Sequence, residues 1–256
     1  MDDIVWIVGI LAGLKALLAL LALAIPAGAA VAVECVARSG AARAQLVELY
    51  TSEGCSSCPP ADRWLSGLPD SAGLVRLAFH VDYWDELGWP DRYADPRYAQ
   101  RQSMQATRDG HATVYTPEVV VDGREWRRWP TGLPARADGP APFALELSVR
   151  GDARLELGLQ QVDGAPGLDA EVYFAVTEDG LYSTVRAGEN RGKRLQHDHV
   201  VRAYAGPVPL DRAHAALELP PGLDRRRATV VAYAQSRTSG AVLQVVQQSL
   251  ATCAGR

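Results

Sequence analysis

Apolar and polar positions follow three rhythms along this chain of 256 residues. From Ile4 to Val33 almost every position is apolar, interrupted by Lys15 and Pro26, which predicts a signal peptide or a membrane anchor. From Leu46 to about Trp129, short apolar runs alternate with amphipathic stretches. Leu46-Val47-Glu48-Leu49-Tyr50 and Leu74 to Val81 predict strands, the second apolar enough to lie inside a sheet. Ala61, Leu65 and Leu68 recur at helical spacing with Trp64 beside them, and Gly67 and Pro69 end that helix. Pro96 to Thr107 predicts a polar helix carrying Tyr98, Arg101 and Gln105 along one side. Glu118-Val119-Val120-Val121 predicts a strand closed by the Asp122-Gly123 turn, with Arg124 to Trp129 returning as its hairpin partner.

The third rhythm has period two. Phe143 to Cys253 alternates in short stretches, such as Ala144 to Val149, Ala153 to Leu157, Ala170 to Val176 and Thr229 to Gln235, between Gly, Asp and Pro turns. That pattern predicts a β-sandwich, and no nucleophile, base or phosphate-loop motif lies within it. Between the second and third rhythms, residues 130–142 are rich in Pro, Gly and Ala; their four prolines exclude a full helix and predict a linker. The expected organisation is a leader over 1–32, a mixed α/β domain over 45–129, a linker over 130–142 and a β-sandwich-like domain over 143–256.

Candidate chemistry concentrates at Gly54-Cys55-Ser56-Ser57-Cys58-Pro59-Pro60, directly after the first strand. The two thiols fall where a strand ends and a helix begins, and a helix N-terminus favours a thiolate through its unpaired N–H groups and dipole. Two prolines fit there only if Cys55 sits at the helix start. The same spacing supplies half of a zinc site or staples a turn as an inert disulfide. The remaining cysteines, Cys35 and Cys253, lie near opposite ends of the chain and form no second close pair. A bridge between them would tie the N-terminal arm to the sandwich and contribute about 4–5 kcal/mol through loop entropy.

Tyr115-Thr116-Pro117 precedes the third strand, and with the cysteine pair it makes the chain resemble the thioredoxin-like superfamily. The resemblance narrows at Val47 to Asp62, Phe79 to Asp85 and Tyr115 to Pro117, and more loosely at Gly188-Glu189-Asn190-Arg191-Gly192. There the chain is similar to an uncharacterised secreted thioredoxin-like family, domain of unknown function 1223. The resemblance implies that Cys55 is the attacking thiol, Cys58 the resolving thiol and Pro117 a cis-proline that, with Thr116, shapes the docking surface. It also implies a buried carboxylate that passes protons, for which Glu48 is the candidate. The closing helix of the thioredoxin pattern is missing where the linker prolines stand.

Other side chains refine this expectation. Glu53, two residues before Cys55, opposes thiolate formation by its charge. Asp82, Tyr83, Trp84, Asp85 and Trp89 follow a strand end, where ligand sites of α/β proteins form, and are candidate substrate-binding residues. Asn190 to Arg194 reads as a solvated basic turn. His197 and His199 share a strand face in this reading and default to surface histidines.

Overall charge and the leader bear on compartment and partners. A net charge of -4 offers no basic footprint for nucleic acid, and 48% hydrophobic residues suffice for a substantial core. The acidic Asp2-Asp3 conflicts with a secretory start. From Lys15 onward, however, a basic residue, the apolar Ala16 to Ile25, a proline and small alanines compose a signal peptide, so translation is expected to begin near Leu14. If the leader is retained as an anchor, Arg38 and Arg43 behind it would keep the thiol domain cytoplasmic. Four cysteines without a metal half-site favour export. The expected function is an exported thiol–disulfide oxidoreductase acting on thiol- or disulfide-containing proteins or small molecules, with no cofactor and no resident metal. The alternatives are a non-catalytic interaction module with a structural disulfide, and a Cu/Zn metallochaperone using both thiols with His80 or His111.

Overall fold

β-branched and aromatic runs pair across distances far longer than the hairpins their sequence suggests. A computed structural model of the chain describes residues 33–71, 73–136, 139–164 and 167–253. The expected leader, 1–32, lies outside the described residues. Among these the chain forms fourteen β-strands and two α-helices. The helices are α1, Pro59–Ser66, and α2, Pro96–Arg108. No helix of the described residues is long and apolar enough to cross a membrane.

One sheet of eight strands has the order β14-β13-β8-β11-β3-β2-β4-β5. Its N-terminal members are β2 (Gln45–Thr51), β3 (Leu74–His80), β4 (Glu118–Val121) and β5 (Arg124–Glu125). Its C-terminal members are β8 (Ala170–Glu178), β11 (Val200–Pro209), β13 (Ala228–Ser236) and β14 (Val242–Ser249). The halves join where β11 meets β3 in parallel at Val200 and Ala78. A second sheet, β1-β6-β7-β12, contains β1 (Val33–Arg38), β6 (Phe143–Gly151), β7 (Arg154–Gly164) and β12 (His214–Glu218). The hairpin of β9 (Leu181–Thr184) and β10 (Arg194–His197) stands apart from both.

This arrangement corrects the expected fold class, an α/β thioredoxin-like domain followed by an all-β sandwich-like domain. Strands outnumber helices seven to one among the described residues, and strands of both halves share one mixed sheet. The physical reason is edge pairing: β3 carries an open edge of N–H and C=O groups that local sequence leaves unpaired, and β11 takes it. Strand alternation reports which faces are apolar, and it carries no information about which edge a strand will join. The expected return strand to Trp129 also shrinks to β5, two residues, before a 3-10 turn at Trp129–Thr131.

Three apolar clusters hold these layers. Val47, Leu49, Ala78 and Val119 meet Ala61 and Leu65 of α1 on one face. Leu46, Tyr50, Phe79, Tyr173, Tyr204 and Tyr233 meet Tyr98 of α2 on the other. The C-terminal strands pack Val172, Phe174, Val230 and Val246 against Phe143, Leu145 and Leu147 of the second sheet. The large sheet curls, because Val242 N–H donates to the carbonyl of Asp122 at 3.2 Å and Ala44 N–H to Gln244 Oε1 at 3.1 Å.

Candidate functional site

The chain leaves β2 at Thr51 and turns through Ser52-Glu53-Gly54 before α1, so both cysteines precede the helix; Cys55, expected at its start, lies in the loop, and Pro59 begins the helix. Cys55 and Cys58 form a disulfide with Cα atoms 5.4 Å apart. Both are 0% exposed, while Ser56 and Ser57 between them are exposed. Cys58 is the N-cap and prolines occupy the first helical positions. The first helix amides, Ala61 and Asp62, donate to the Cys58 carbonyl at 2.8 and 3.1 Å. A side chain on Gly54 would stand 3.1 Å from Trp84 Cβ, so the glycine lets Trp84 lie against the loop.

Trp84 also reaches the second part of the site. Its Nε1–H donates to Thr116 Oγ1 at 2.8 Å, and the Thr116–Pro117 peptide bond is cis. Tyr83 donates to Gln102 Oε1 at 3.2 Å, and Gln102 Nε2 donates to the Tyr115 carbonyl at 2.8 Å and to Glu118 Oε2 at 2.5 Å. Burial, with Glu125, Glu48 and Asp109 adding repulsion, pushes the Glu118 carboxyl up to about 7. Burial also pushes Tyr83 up to about 12. Trp89 Nε1–H donates to Glu53 Oε2 at 2.7 Å, Asp85 accepts from Asp91 N–H at 2.9 Å, and the carbonyl of half-buried Asp82 accepts from Asp85 N–H at 2.9 Å. Thus the five candidate substrate-binding residues lie in one loop, of which Trp84 and Trp89 touch the cysteine turn directly.

Beneath the disulfide is a buried polar cluster that the sequence does not announce. Glu53, Asp62, His80, Asp91 and His197 are all buried. Thr51 Oγ1 donates to Asp62 Oδ1 at 2.7 Å; His80 Nδ1 lies 2.6 Å from Asp91 Oδ2, which also accepts from Glu53 N–H at 2.8 Å. His197 Nε2 lies 3.3 Å from Glu53 Oε1, and the two imidazoles meet edge to face with centroids 5.0 Å apart. His80 Nε2 and both ring nitrogens of His197 are buried without a hydrogen-bond partner, and both rings line, with Asp62, a crevice too narrow to hold a water molecule. Burial raises the Asp62 carboxyl despite the opposing pull of His197 and His80. For His80, burial pulls downward, but attraction and hydrogen bonding to Asp91 prevail and hold the imidazole above its ordinary value. Burying this many ionisable groups is costly, which makes the cluster a candidate functional site.

The loop between β9 and β10 closes the site from the C-terminal half of the chain. Asn190, 0% exposed, donates through Nδ2 to the carbonyls of Glu53 and Cys55 at 2.9 and 2.8 Å. Lys193 Nζ donates to its Oδ1 at 2.9 Å, and Glu189 Oε2 accepts from Ser56 N–H at 2.9 Å. The expectation of a solvated turn here is therefore corrected at Asn190. The expected shared strand face of His197 and His199 is corrected too. His197 ends β10 in the buried cluster, whereas His199 has φ +57 and binds Asp179.

Glu48 is not brought to the thiols. It lies on the α2 face of β2, opposite α1, where Arg101 Nε donates to its Oε1 at 2.8 Å and the guanidinium lies 4.3 Å from the Tyr173 ring centroid. Nor does His111 approach them; it is exposed and 3.4 Å from Glu125. Among the described residues no three histidine, cysteine or acidic side chains converge to hold a metal ion. Cys35 and Cys253 are joined as a disulfide with Cα atoms 5.4 Å apart.

A family model described as Protein of unknown function (DUF1223) matches residues 46–235, and the chain belongs to that family. No curated protein matches it. Among solved structures, protein AGR_C_4864 from Agrobacterium tumefaciens is similar, with 24% identity, a TM-score of 0.55, and coverage of 81% of this chain and 95% of that one. HBP35 of Porphyromonas gingivalis is similar with 14% identity, a TM-score of 0.57, and coverage of 84% and 77%. At these identities the likeness concerns the fold alone.

Proposed function

We propose that this member of the DUF1223 family is a thiol–disulfide oxidoreductase acting through Cys55 and Cys58 on protein or small-thiol substrates in an oxidising compartment. The observation that carries the reading is the company the pair keeps: a buried acid–base cluster of Glu53, Asp62, His80, Asp91 and His197 beside its turn. All four cysteines are paired in disulfides, which favours a compartment outside the cytoplasm.

The exchange runs in two steps. The Cys55 thiolate attacks one sulfur of a substrate disulfide, the other substrate sulfur leaves as a thiolate and takes a proton, and a mixed disulfide remains. Cys58 then loses its proton, attacks Cys55 Sγ and releases the second substrate thiol. Asp62, one helical turn after Cys58 and backed by His80 and His197, is the carboxylate best situated to accept that proton, in place of Glu48.

The complete burial of both sulfurs favours a second reading, in which the disulfide is an inert staple of a binding module. One experiment separates them. A Cys58→Ser variant incubated with a disulfide substrate is expected to accumulate a mixed disulfide at Cys55, and Cys55→Ser to lose exchange altogether. Exchange that survives Cys55→Ser, or a pair that no reductant opens in the folded protein, selects the staple.

A further inference from the structure

Proteins hold a thiolate with helix amides, a helix dipole and nearby cations. At this site most of those stabilisers are withdrawn, although the Ser57 hydroxyl lies 3.4 Å from Cys55 Sγ. Pro59 and Pro60 occupy the first helical positions and have no N–H to give. The next two amides, Ala61 and Asp62, are spent on the Cys58 carbonyl. Ser56 N–H, the amide between the cysteines, is taken by the Glu189 carboxylate at 2.9 Å.

Charges follow the same pattern. Hydrogen bonds from Ser56 hold Glu189 below the usual carboxylate range, so it is ionised beside the pair. Glu53, two residues before Cys55, is also lowered: burial raises it, but the adjacent His197 and the hydrogen bond from Trp89 prevail. Among the neighbouring groups, His80 lies against Asp91 and His197 against Glu53, while Lys193 Nζ donates to the neutral amide of Asn190.

We infer that the pair is a low-potential dithiol that donates electrons, reducing substrate disulfides, and that Glu189 is a residue tuning it in that direction. The inference rests on the exchange reading and adds its direction. Negative charge destabilises the thiolate of the reduced form and leaves the neutral disulfide untouched, so oxidation of the pair is favoured, the reverse of a strong oxidant whose reduced form is stabilised. In the net reaction the dithiol and a substrate disulfide become the Cys55–Cys58 disulfide and two substrate thiols, with two electrons passing to substrate. Restoring the dithiol requires a second reaction, in which an external dithiol donor is itself oxidised to a disulfide.

The test is a redox-buffer titration at neutral pH with alkylation as the readout. The wild-type pair is expected to stay oxidised across the glutathione range and to be reduced by dithiothreitol, with Cys55 alkylating only above the ordinary thiol pKa, about 8.5. Glu189→Gln keeps an oxygen for Ser56 N–H without the charge. It is expected to shift the equilibrium toward the dithiol by about twofold to fivefold, the range of an exposed charge, and to lower the Cys55 alkylation pKa. Glu189→Asp restores the charge and should move both values back toward wild type. A pair reduced by glutathione with Cys55 alkylating in acid, or values unmoved by Glu189→Gln, overturns the inference while exchange stands. A folded protein that neither buffer opens removes the exchange reading itself.

Discussion

Cys35–Cys253 and Cys55–Cys58 have the same Cα separation, 5.4 Å, yet close chain separations of 218 and 3 residues. Cys253 is buried against the apolar layer of Phe143, Leu145 and Leu147, with Cys35 packed on the same cluster. Cys55 and Cys58 sit in a turn held by Asn190, Glu189 and Trp84, with the buried Glu53 and Asp62 on either side of it in the chain. The contrast separates a bond that restrains the unfolded chain from one set beside buried titratable groups. Only the first closes a loop long enough to stabilise strongly.

Removing each bridge gives the largest expected contrast. Replacing Cys35 and Cys253 by alanine should lower the unfolding free energy in denaturant by about 5 kcal/mol, and replacing Cys55 and Cys58 by about 2 kcal/mol, on loop entropy alone. Equal losses would break the distinction. Asn190→Ala is next in size. It leaves the Glu53 and Cys55 carbonyls without their buried donor, costing about 1–3 kcal/mol, and should speed reduction of Cys55–Cys58 by a small phosphine while Cys35–Cys253 reduces as before. If the loop guards nothing, both bridges will keep their wild-type rates.

The smallest effect concerns pH, and it belongs to the Cys55 side alone. Glu118, beside Pro117, is raised to about 7 from 4.5, so between those values the folded state binds the proton that the unfolded state has lost. Its contribution is therefore present below about 4.5 and declines as pH rises to about 7. Glu118→Gln should flatten that decline by about 1 kcal/mol after allowing for screening of a partly hydrated group. Denaturation midpoints measured across that interval check it, and an unchanged slope would place the titration elsewhere.

The legible part of this molecule is local. The apolar run before Cys55 and the β-branched run after Pro117 located β2 and β4 to within a residue or two, while α1 begins at Pro59 and not at Cys55, because the two prolines themselves take the first helical positions. Alternation also showed that Glu48 faces away from Val47 and Leu49, but which face the thiol-bearing helix covers is settled by packing, and it covers the other one. Asn190 was unreadable for a different reason: its partner Cys55 lies 135 residues away, and a polar residue in a basic turn looks solvated unless the turn is known to be covered. The histidines gave no pattern because the buried cluster draws one group each from β3, α1, β10 and two loops.

By itself, the sequence determined the strand and helix segments, the Cys-x-x-Cys at a strand-to-helix junction and the Thr-Pro that precedes β4, because those depend on side-chain periodicity and backbone restrictions acting over a few residues. Tertiary structure alone decided that β11 joins β3, that strands of both halves form one sheet, and that Glu189, Asn190 and His197 are delivered to the cysteines. Hydrogen-bonding edges are nearly identical along any strand, so their pairing is selected by the packing of whole layers and leaves little trace in local sequence.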